Sequence, residues 1–409
     1  MPPRVVLGVG AGIAAYKCCE LLRLLTESGF RVRVVPTPDA LRFVGEATWA
    51  ALSGEPVTTD AWTDAWQVPH VRIGQSADLV VVAPATADLL ARAAAGMADD
   101  LLTSTLLTAT CPVLFAPAMH TEMWQHPATR ANVSVLRSRG TVVLEPAAGR
   151  LTGADSGPGR LPEPEEIFAV AVRLLAGAPR DLAGRRVLIS AGGTREEIDP
   201  VRFIGNWSTG TQGYALARAA VARGAEATVV AANVALPDPG GAKVLRVVSA
   251  CEMRDAVLDA AAGADAVVMA AAVADYRPEA RSAAKIKKAG QPPEPLRLTE
   301  NPDILAELAA LRHQQRGRQQ RAHPEPGHPQ VLVGFAAETD TSADAARAKL
   351  ARKGCDLLVV NPVGGGLGFG TPDNEAAVYA ADGTVTPVPR GPKEVLADAV
   401  WDLVAARLS

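Results

Sequence analysis

Residues 189–213, reading ISAGGTREEIDPVRFIGNWSTGTQG, carry the densest anion-binding chemistry in the chain. An apolar run, Val187 to Ser190, breaks into a loop dense in glycine, hydroxyl and amide groups, and a helical pattern resumes near Tyr214. Glycine lets backbone N–H groups approach phosphate oxygens, hydroxyls add donors, and the following helix N-terminus adds partial positive charge. A single GG or STG reads equally well as a structural turn. Several such elements within one 25-residue window weaken that reading. Further on, AAAVADY (Ala270 to Tyr276) again follows an apolar strand, and Arg277, Arg281, Lys285, Lys287 and Lys288 then place five cations in a dozen residues. A charge run is ordinarily a solvated face, but after a strand end that offers Asp275 it suits a polyphosphate with a divalent metal. Lys349 and Lys353, four residues apart before Gly354, add a cationic pair on one helix face.

The N-terminal half holds a second candidate. Gly10, Gly12 and Ala15 fit G-x-G-x-x-A directly after a strand, the fingerprint of a dinucleotide fold. A nicotinamide site also wants an acid closing the second strand, yet Val35 is followed by Pro36, Thr37 and Pro38 before Asp39. A hydroxyl in that place fits a mononucleotide phosphate better than a ribose. The third strand ends in APATAD (Ala83 to Asp88), small and hydroxylated residues at the edge where doubly wound sheets bind ligands, although tight turns share that composition.

Two series of elements must position these groups. Strand-like runs at Val5 to Val9, Val32 to Val35, Leu79 to Ala83, Val113 to Ala116 and Val142 to Leu144 alternate with helical patterns. A helix near Glu163 to Leu175 closes the series, and AGAPRDLAG (Ala176 to Gly184) reads as a linker. The alternation restarts with strands near Val187, Ala227 to Val230, Val244 to Val247, Ala266 to Met269, Val331 to Phe335 and Leu357 to Val360. The fold class is therefore α/β, with two tandem Rossmann-like domains, each a mostly parallel sheet flanked by helices. The expected boundaries are 1–178, a linker at 179–184, and 185–409. Asp382-Gly383 between two β-rich runs signals a terminal hairpin. Residues 312–330, rich in Arg, Gln, His and Pro without an apolar period, read as a mobile insertion.

A length of 409 residues exceeds one ordinary core, and 48% hydrophobic content lets both halves bury one. With net charge −3, neither half carries the field of a nucleic-acid binder. The five cysteines are scattered without metal-ligand spacing, as in a reduced, cytoplasmic protein, and no apolar run is long enough to span a membrane.

GIAAYK (Gly12 to Lys17), APATADLLARAAAGMADDLL (Ala83 to Leu102), PAMHTEMW (Pro117 to Trp124) and GPGR (Gly157 to Arg160) resemble the flavin-dependent decarboxylases of phosphopantothenoylcysteine. The resemblance implies FMN at Gly10, Gly12, Thr37, Pro84 and Thr86, a catalytic histidine at His70, and substrate contacts from Met119, His120 and Arg160. GTREEIDPVRFIGNWSTG, AAAVADYRP, KIKK and NPDIL resemble phosphopantothenate–cysteine ligase. Together the two halves resemble the bifunctional bacterial enzymes of coenzyme A biosynthesis. That resemblance implies CTP as co-substrate and an acyl-cytidylate held by Asn206. It places the nucleotide against Ser208, Thr209, Gly210, Ala271, Asp275, Lys285, Asn301, Pro302, Phe335, Lys349 and Lys353. Lys285 is also expected to act in catalysis, and Asp275 to meet Mg2+. Trimeric decarboxylase units and dimeric ligase units are likewise implied, with small-molecule substrates and neither nucleic acid nor membrane as partner.

Two departures from the family pattern stand out. His120 occupies the usual asparagine position, where an imidazole can still donate a hydrogen bond, and LTGADSGPGR lacks the flap cysteine that protonates the enethiolate. Two rivals remain at this point: a two-domain nicotinamide dehydrogenase, against which the missing second-strand acid counts, and a non-catalytic regulatory flavoprotein, which would not need a complete ligase half.

Overall fold

All seven residues of β3 (Leu79–Ala85, LVVVAPA) are buried, as only a strand covered on both faces can be. It lies inside a five-stranded sheet with β1 (Arg4–Val9), β2 (Arg31–Pro36), β4 (Val113–Pro117) and the short β5 (Val142–Val143), in the order β2-β1-β3-β4-β5. Every pairing in it is parallel. Helix α1 (Lys17–Glu27) buries Cys18, Leu21, Leu22 and Leu25, the i, i+3, i+4, i+7 stripe of an amphipathic helix. The order reverses between β1 and β3, so the carboxyl ends of these two strands form the crevice where such sheets take ligands.

The computed structural model describes residues 2–59, 66, 68–150, 156–177, 179–287, 295–322, 330–339, 342–363, 370–371 and 373–409. Contacts divide it into two units. One comprises Met1–Gly184 with Val221–Ala225 and Asp238–Ala242, the other Arg185–Ala220, Glu226–Pro237 and Lys243–Ser409.

The second sheet has eight strands in the order β12-β11-β8-β13-β16-β17-β18-β19. It is parallel across β11 (Glu226–Ala232), β8 (Arg186–Gly192), β13 (Ala266–Met269), β16 (Val331–Glu338) and β17 (Leu357–Pro362). β12 (Ala242–Val247) lies at one edge. The terminal hairpin, β18 (Asp373–Ala380) with β19 (Val385–Pro392), pairs antiparallel at the other. Its turn is the expected one, with Gly383 at φ 90° and Asp382 accepting from the Thr384 N–H. Helix α9 (Thr211–Ala222) follows β8, and α12 (Ala343–Lys353) precedes β17. After β8 the chain moves outward to β11 and β12 and returns on the other side as β13, so the order reverses between β8 and β13.

Three short ribbons were not expected from sequence. They are β6 (Ala147–Arg150) with β7 (Ser156–Arg160), β9 (Arg195–Glu197) with β10 (Phe203–Gly205), and β14 (Tyr276–Pro278) with β15 (Leu298–Glu300). One expectation needs correction. The segment 312–330 is no free insertion at its start, because α11 (Ile304–Ala322) runs on into it as far as Ala322. Buried Arg312 pairs with Asp356 and donates to the carbonyls of Gln330 (3.0 Å) and Gly354 (2.9 Å), which secures this turn of helix without an apolar stripe. Residues 323–329 lie outside the described residues. Within the expected linker at 179–184, Leu182 is fully buried, and Asp181 accepts from Arg223 Nε (2.8 Å) and Nη2 (2.5 Å).

Candidate active sites

In the first unit, Gly10 leaves β1 so close to the end of β3 that its N–H donates to the Pro84 carbonyl at 3.1 Å. A Cβ there would sit 2.4 Å from that oxygen, so only glycine fits. Gly12 differs, since a Cβ there meets nothing within 4 Å and no packing demands the glycine. Thr37 follows β2, with its N–H on the Val9 carbonyl at 2.9 Å. Its hydroxyl is buried and has no hydrogen-bond partner among the described residues. Thr86 caps α4 (Ala87–Ala95), accepting from the Leu89 N–H at 3.2 Å. Gly10, Thr37, Pro84 and Thr86 thus gather at the carboxyl ends of adjacent strands. An orphaned buried hydroxyl beside a glycine cradle and a helix N-terminus fits a phosphate-bearing cofactor.

The other residues expected in this half stand on different elements. His70 is the second residue of α3 (Pro69–Ser76), and its carbonyl accepts from Thr108 Oγ1 at 2.8 Å. Its Nδ1 is buried without a partner among the described residues. The Met119 N–H donates to the Gly159 carbonyl at 2.9 Å, tying the β6–β7 ribbon over the loop after β4. His120 is exposed at the start of α6 (Thr121–Gln125) and makes no capping bond. Arg160 is already engaged, with Nη2 2.9 Å from Glu163 Oε1, while Lys17 Nζ holds both oxygens of Glu163 at 2.9 and 2.8 Å. Sequence reading gave Lys17 and Glu163 no role, because 146 residues separate them and neither spacing carries a signal. Residues 151–155, where the flap cysteine would stand, lie outside the described residues.

In the second unit a cavity of about 640 Å³ opens at the carboxyl edge of the sheet. Its lining includes Asn206, Ser208, Thr209, Gly210, Ala271, Asp275, Asn301, Pro302, Phe335, Lys349 and Lys353. Of the residues expected at the nucleotide, Lys285 alone is not in this lining. Gly210 turns into α9 at φ 86°, and a Cβ there would meet Val234 at 2.5 Å. Asn206 Nδ2 donates to the Ala272 carbonyl at 2.9 Å. Asn301 is a clamp on the opposite wall: its N–H donates to the Asp275 carbonyl and its Nδ2 to that of Ala274, both at 2.8 Å. Lys349 pairs with Glu338 and Lys353 with Asp303, each at 2.6 Å.

Lys285 is exposed, on a segment fixed from behind by Asp199. The buried Asp199 carboxylate pairs with Arg202 and accepts from the N–H groups of Val201 (2.8 Å), Arg202 (2.9 Å) and Ile286 (3.1 Å). Arg202 and these N–H donors hold its pKa well below the usual carboxylate range. The Ile286 bond therefore sets the backbone beside Lys285. Lys288 lies outside the described residues. Among those described, no three His, Cys, Asp or Glu side chains converge, so a cation at the exposed Asp275 would take its remaining ligands from phosphate and water, as Mg2+ commonly does. No helix among them is long and apolar enough to cross a membrane. Sequence reading also passed over Gln212, Asn374 and Lys393, which line the same cavity from α9, β18 and α13 (Lys393–Leu408).

Residues 1–176 match the family described as Flavoprotein, and residues 182–408 match that described as DNA/pantothenate metabolism flavoprotein C-terminal domain. The chain is 57% identical over 417 residues to the coenzyme A biosynthesis bifunctional protein CoaBC of Mycobacterium tuberculosis, covering 100% of this chain and 98% of that protein. It is 42% identical over 405 residues to the protein of the same name from Vibrio cholerae, with 98% and 97% covered. A solved structure of the C-terminal domain of a CoaBC protein aligns with 56% of this chain and 98% of its own at 33% identity and a TM-score of 0.45. Full-length likeness of this kind does not support a nicotinamide dehydrogenase or a regulatory flavoprotein. With both family regions present in order and relatives matched end to end, the chain belongs to the family of bifunctional coenzyme A biosynthesis proteins.

Proposed function

We propose that the chain catalyses two consecutive steps of coenzyme A biosynthesis: CTP-dependent ligation of L-cysteine to 4'-phosphopantothenate, then FMN-dependent decarboxylation of the product to 4'-phosphopantetheine. The observation that carries the ligase half is the gathering of Asn206, the Ser208–Gly210 loop, Asp275, Lys349 and Lys353 around one cavity where the strand order reverses. In the first step a carboxylate oxygen of phosphopantothenate bonds to the α-phosphorus of CTP, and the bond from that phosphorus to the leaving pyrophosphate breaks. The cysteine amine then attacks the acyl carbon, CMP departs, and the amine loses its proton. Phosphoryl transfer asks the protein mainly for placement and charge neutralisation. Lys349 and Lys353 supply the charge by exchanging Glu338 and Asp303 for phosphate oxygens, and Asp275 would hold Mg2+, which would add charge neutralisation at the phosphates. The Asn206 amide, now on the Ala272 carbonyl, turns to hold the acyl group. Lys285 approaches the α-phosphate from its own segment.

Gly10, Gly12, Thr37, Pro84 and Thr86 would hold FMN, with the Thr37 hydroxyl as a donor to its phosphate. When bound, FMN supplies the two-electron oxidation of the cysteinyl thiol that makes loss of carbon dioxide feasible, and the matching reduction afterwards. His70 takes the thiol proton, while Met119, His120 and Arg160 contact the substrate. For Arg160 that means sharing or leaving Glu163. The preference for CTP, a trimeric decarboxylase half and a dimeric ligase half rest on the family resemblance, whereas the domain limits 1–178 and 185–409 rest on the restart of the α/β alternation and a cytoplasmic location on the scattered cysteines.

The test is product analysis with the full chain, phosphopantothenate, cysteine and either CTP or ATP. Pyrophosphate release with CTP, followed by carbon dioxide release from a protein whose spectrum shows oxidised flavin, is the expected result. A colourless protein that releases neither product refutes the proposal.

A further inference from the structure

The His70 Nδ1 is buried with no partner among the described residues, so no hydrogen bond at that atom turns the ring. Imidazoles that handle protons are ordinarily oriented by such a bond. Here the ring's position depends on where the α3 backbone is held, and α3 is weakly anchored by its own sequence. It has eight residues, its N-cap Val68 makes no side-chain capping bond, and it buries only Ile73 and Gly74. Val68 itself is left-handed, at φ 48° and ψ 66°. A β-branched residue in that conformation costs about 1–3 kcal/mol and persists only where its surroundings fix it.

The fixing contacts come from α5 (Leu101–Thr108). Thr108 Oγ1 lies 2.8 Å from the His70 carbonyl, against 3.1 and 3.3 Å from the Thr105 and Ser104 carbonyls of its own helix. A hydroxyl carries one hydrogen, and the shortest of the three contacts is the one that crosses to α3. One turn further along α3, Gly74 rests on the same residue: a Cβ there would run into Thr108 Oγ1 and sit 2.8 Å from the Thr105 carbonyl and 3.0 Å from the Ala109 nitrogen. Glycine inside a helix costs about 1 kcal/mol relative to alanine, and this close approach accounts for it.

We propose that Thr108 is a positioning residue for decarboxylation, holding His70 in place through its carbonyl while Gly74 lets α3 seat against α5. The inference rests on the reading of His70 as the group that takes the thiol proton. Proton transfer needs hydrogen-bond reach, and a misplacement of about 1 Å can cost about 100-fold in rate. Thr108 touches neither substrate nor cofactor in this arrangement; it acts through His70.

Anaerobic stopped-flow mixing of the flavin-loaded full chain with phosphopantothenoylcysteine isolates the oxidative step as loss of flavin absorbance, in wild type, Thr108→Val and Thr108→Ser. The valine variant keeps the shape without the donor, and the serine variant keeps the donor. Thr108→Ala carries the test if the valine variant does not fold. CTP-dependent pyrophosphate release, chemistry assigned to the other unit, serves as the control for an intact chain. In Thr108→Val, flavin content and KM should match wild type while flavin reduction slows by about 10- to 100-fold, and Thr108→Ser should recover most of that rate. Hydrogen exchange across residues 70–74 of the flavin-free chain should be faster in Thr108→Val than in wild type or Thr108→Ser. A wild-type rate of reduction, or wild-type exchange across residues 70–74, in a folded variant lacking the hydroxyl overturns the inference, as does equal slowing in the serine and valine variants. A His70→Asn protein that reduces its flavin at the wild-type rate instead refutes the role of His70 itself, a separate result.

Discussion

Replacing Thr37 by valine should move stability and cofactor affinity in opposite directions. The Thr37 hydroxyl is buried with no hydrogen-bond partner among the described residues, in extended backbone (φ −67°, ψ 154°) that a β-branched side chain accepts. A buried polar atom left unsatisfied costs about 1–3 kcal/mol. Valine keeps the shape and removes that cost, so the flavin-free protein should gain stability. For a domain of this size, each 1 kcal/mol raises Tm by about 2–4 °C. If the hydroxyl instead waits for the FMN phosphate, the bound state loses a hydrogen bond to a charged group, worth about 1.5–3 kcal/mol. The dissociation constant should then rise about 10- to 150-fold. The assay is calorimetric melting of the first transition in flavin-stripped protein, alongside titration of FMN by quenching of its fluorescence. Wild-type affinity in Thr37→Val would remove the hydroxyl from the cofactor site. A flavin-free variant less stable than wild type would show that the hydroxyl already has a partner in solution.

Three further outcomes are expected. His70→Asn should retain FMN and stop decarboxylation, because His70 is bonded to Thr108 through its backbone and not to the cradle at Gly10, so flavin content and carbon dioxide release should separate. Lys285→Gln should slow pyrophosphate release from CTP in the absence of cysteine, whereas Asn206→Asp should leave that step and impair capture of the intermediate; each loss should be about 100- to 1,000-fold in turnover, and equal first-step defects would refute the division of labour. A C-terminal fragment beginning at residue 179 should melt above one beginning at 185, because only the longer one keeps Asp181 against the buried Arg223. Asp181 retains 38% exposure, which holds the difference on the order of 2 kcal/mol, below that of a fully buried pair, and indistinguishable melts would show that the pair contributes nothing.

What the sequence revealed follows from range. Strands such as Leu79–Ala85 and Leu357–Pro362 were legible because burial on both faces writes a continuous apolar run into a few residues. The STG loop and AAAVADY were legible because each packs its chemistry into one short segment after a strand. Asn301 could be placed only through the family resemblance, since its bonds at the strand end after Ala274 form 26 or 27 residues away. Lys393 and Gln212, 181 residues apart, left no local trace, and neither did the pairing of Lys17 with Glu163. The segment from Arg312 misled for the same reason. Its polar composition carries no apolar period, whereas the helix is held at Arg312 by one buried guanidinium reaching Asp356 and Gly354 some 42–44 residues on.

The two candidate sites solve the same problem, an anion at the carboxyl edge of a parallel sheet, by different means. In the first unit the groups waiting at the reversal of strand order are neutral: backbone beside Gly10, the Thr37 hydroxyl and the start of α4. A neutral donor left empty costs less than an unpaired buried charge would, so this cradle can stay fixed between turnovers and keep a resident cofactor. In the second unit the waiting groups are charged, and uncompensated lysines lining a cavity would repel one another. Glu338 and Asp303 occupy Lys349 and Lys353 at 2.6 Å, which keeps both side chains placed while no ligand is bound. Those pairs are 22–47% exposed, and ion pairs in such places are worth only about 0–1 kcal/mol, so a polyphosphate with its metal can displace the carboxylates at small cost. That difference suits the two tasks, since a co-substrate must enter and leave on every cycle whereas a flavin must stay. On the proposed assignment of Lys349 and Lys353 to the nucleotide, the geometry that lets them exchange partners cheaply would be part of how the ligase half turns over.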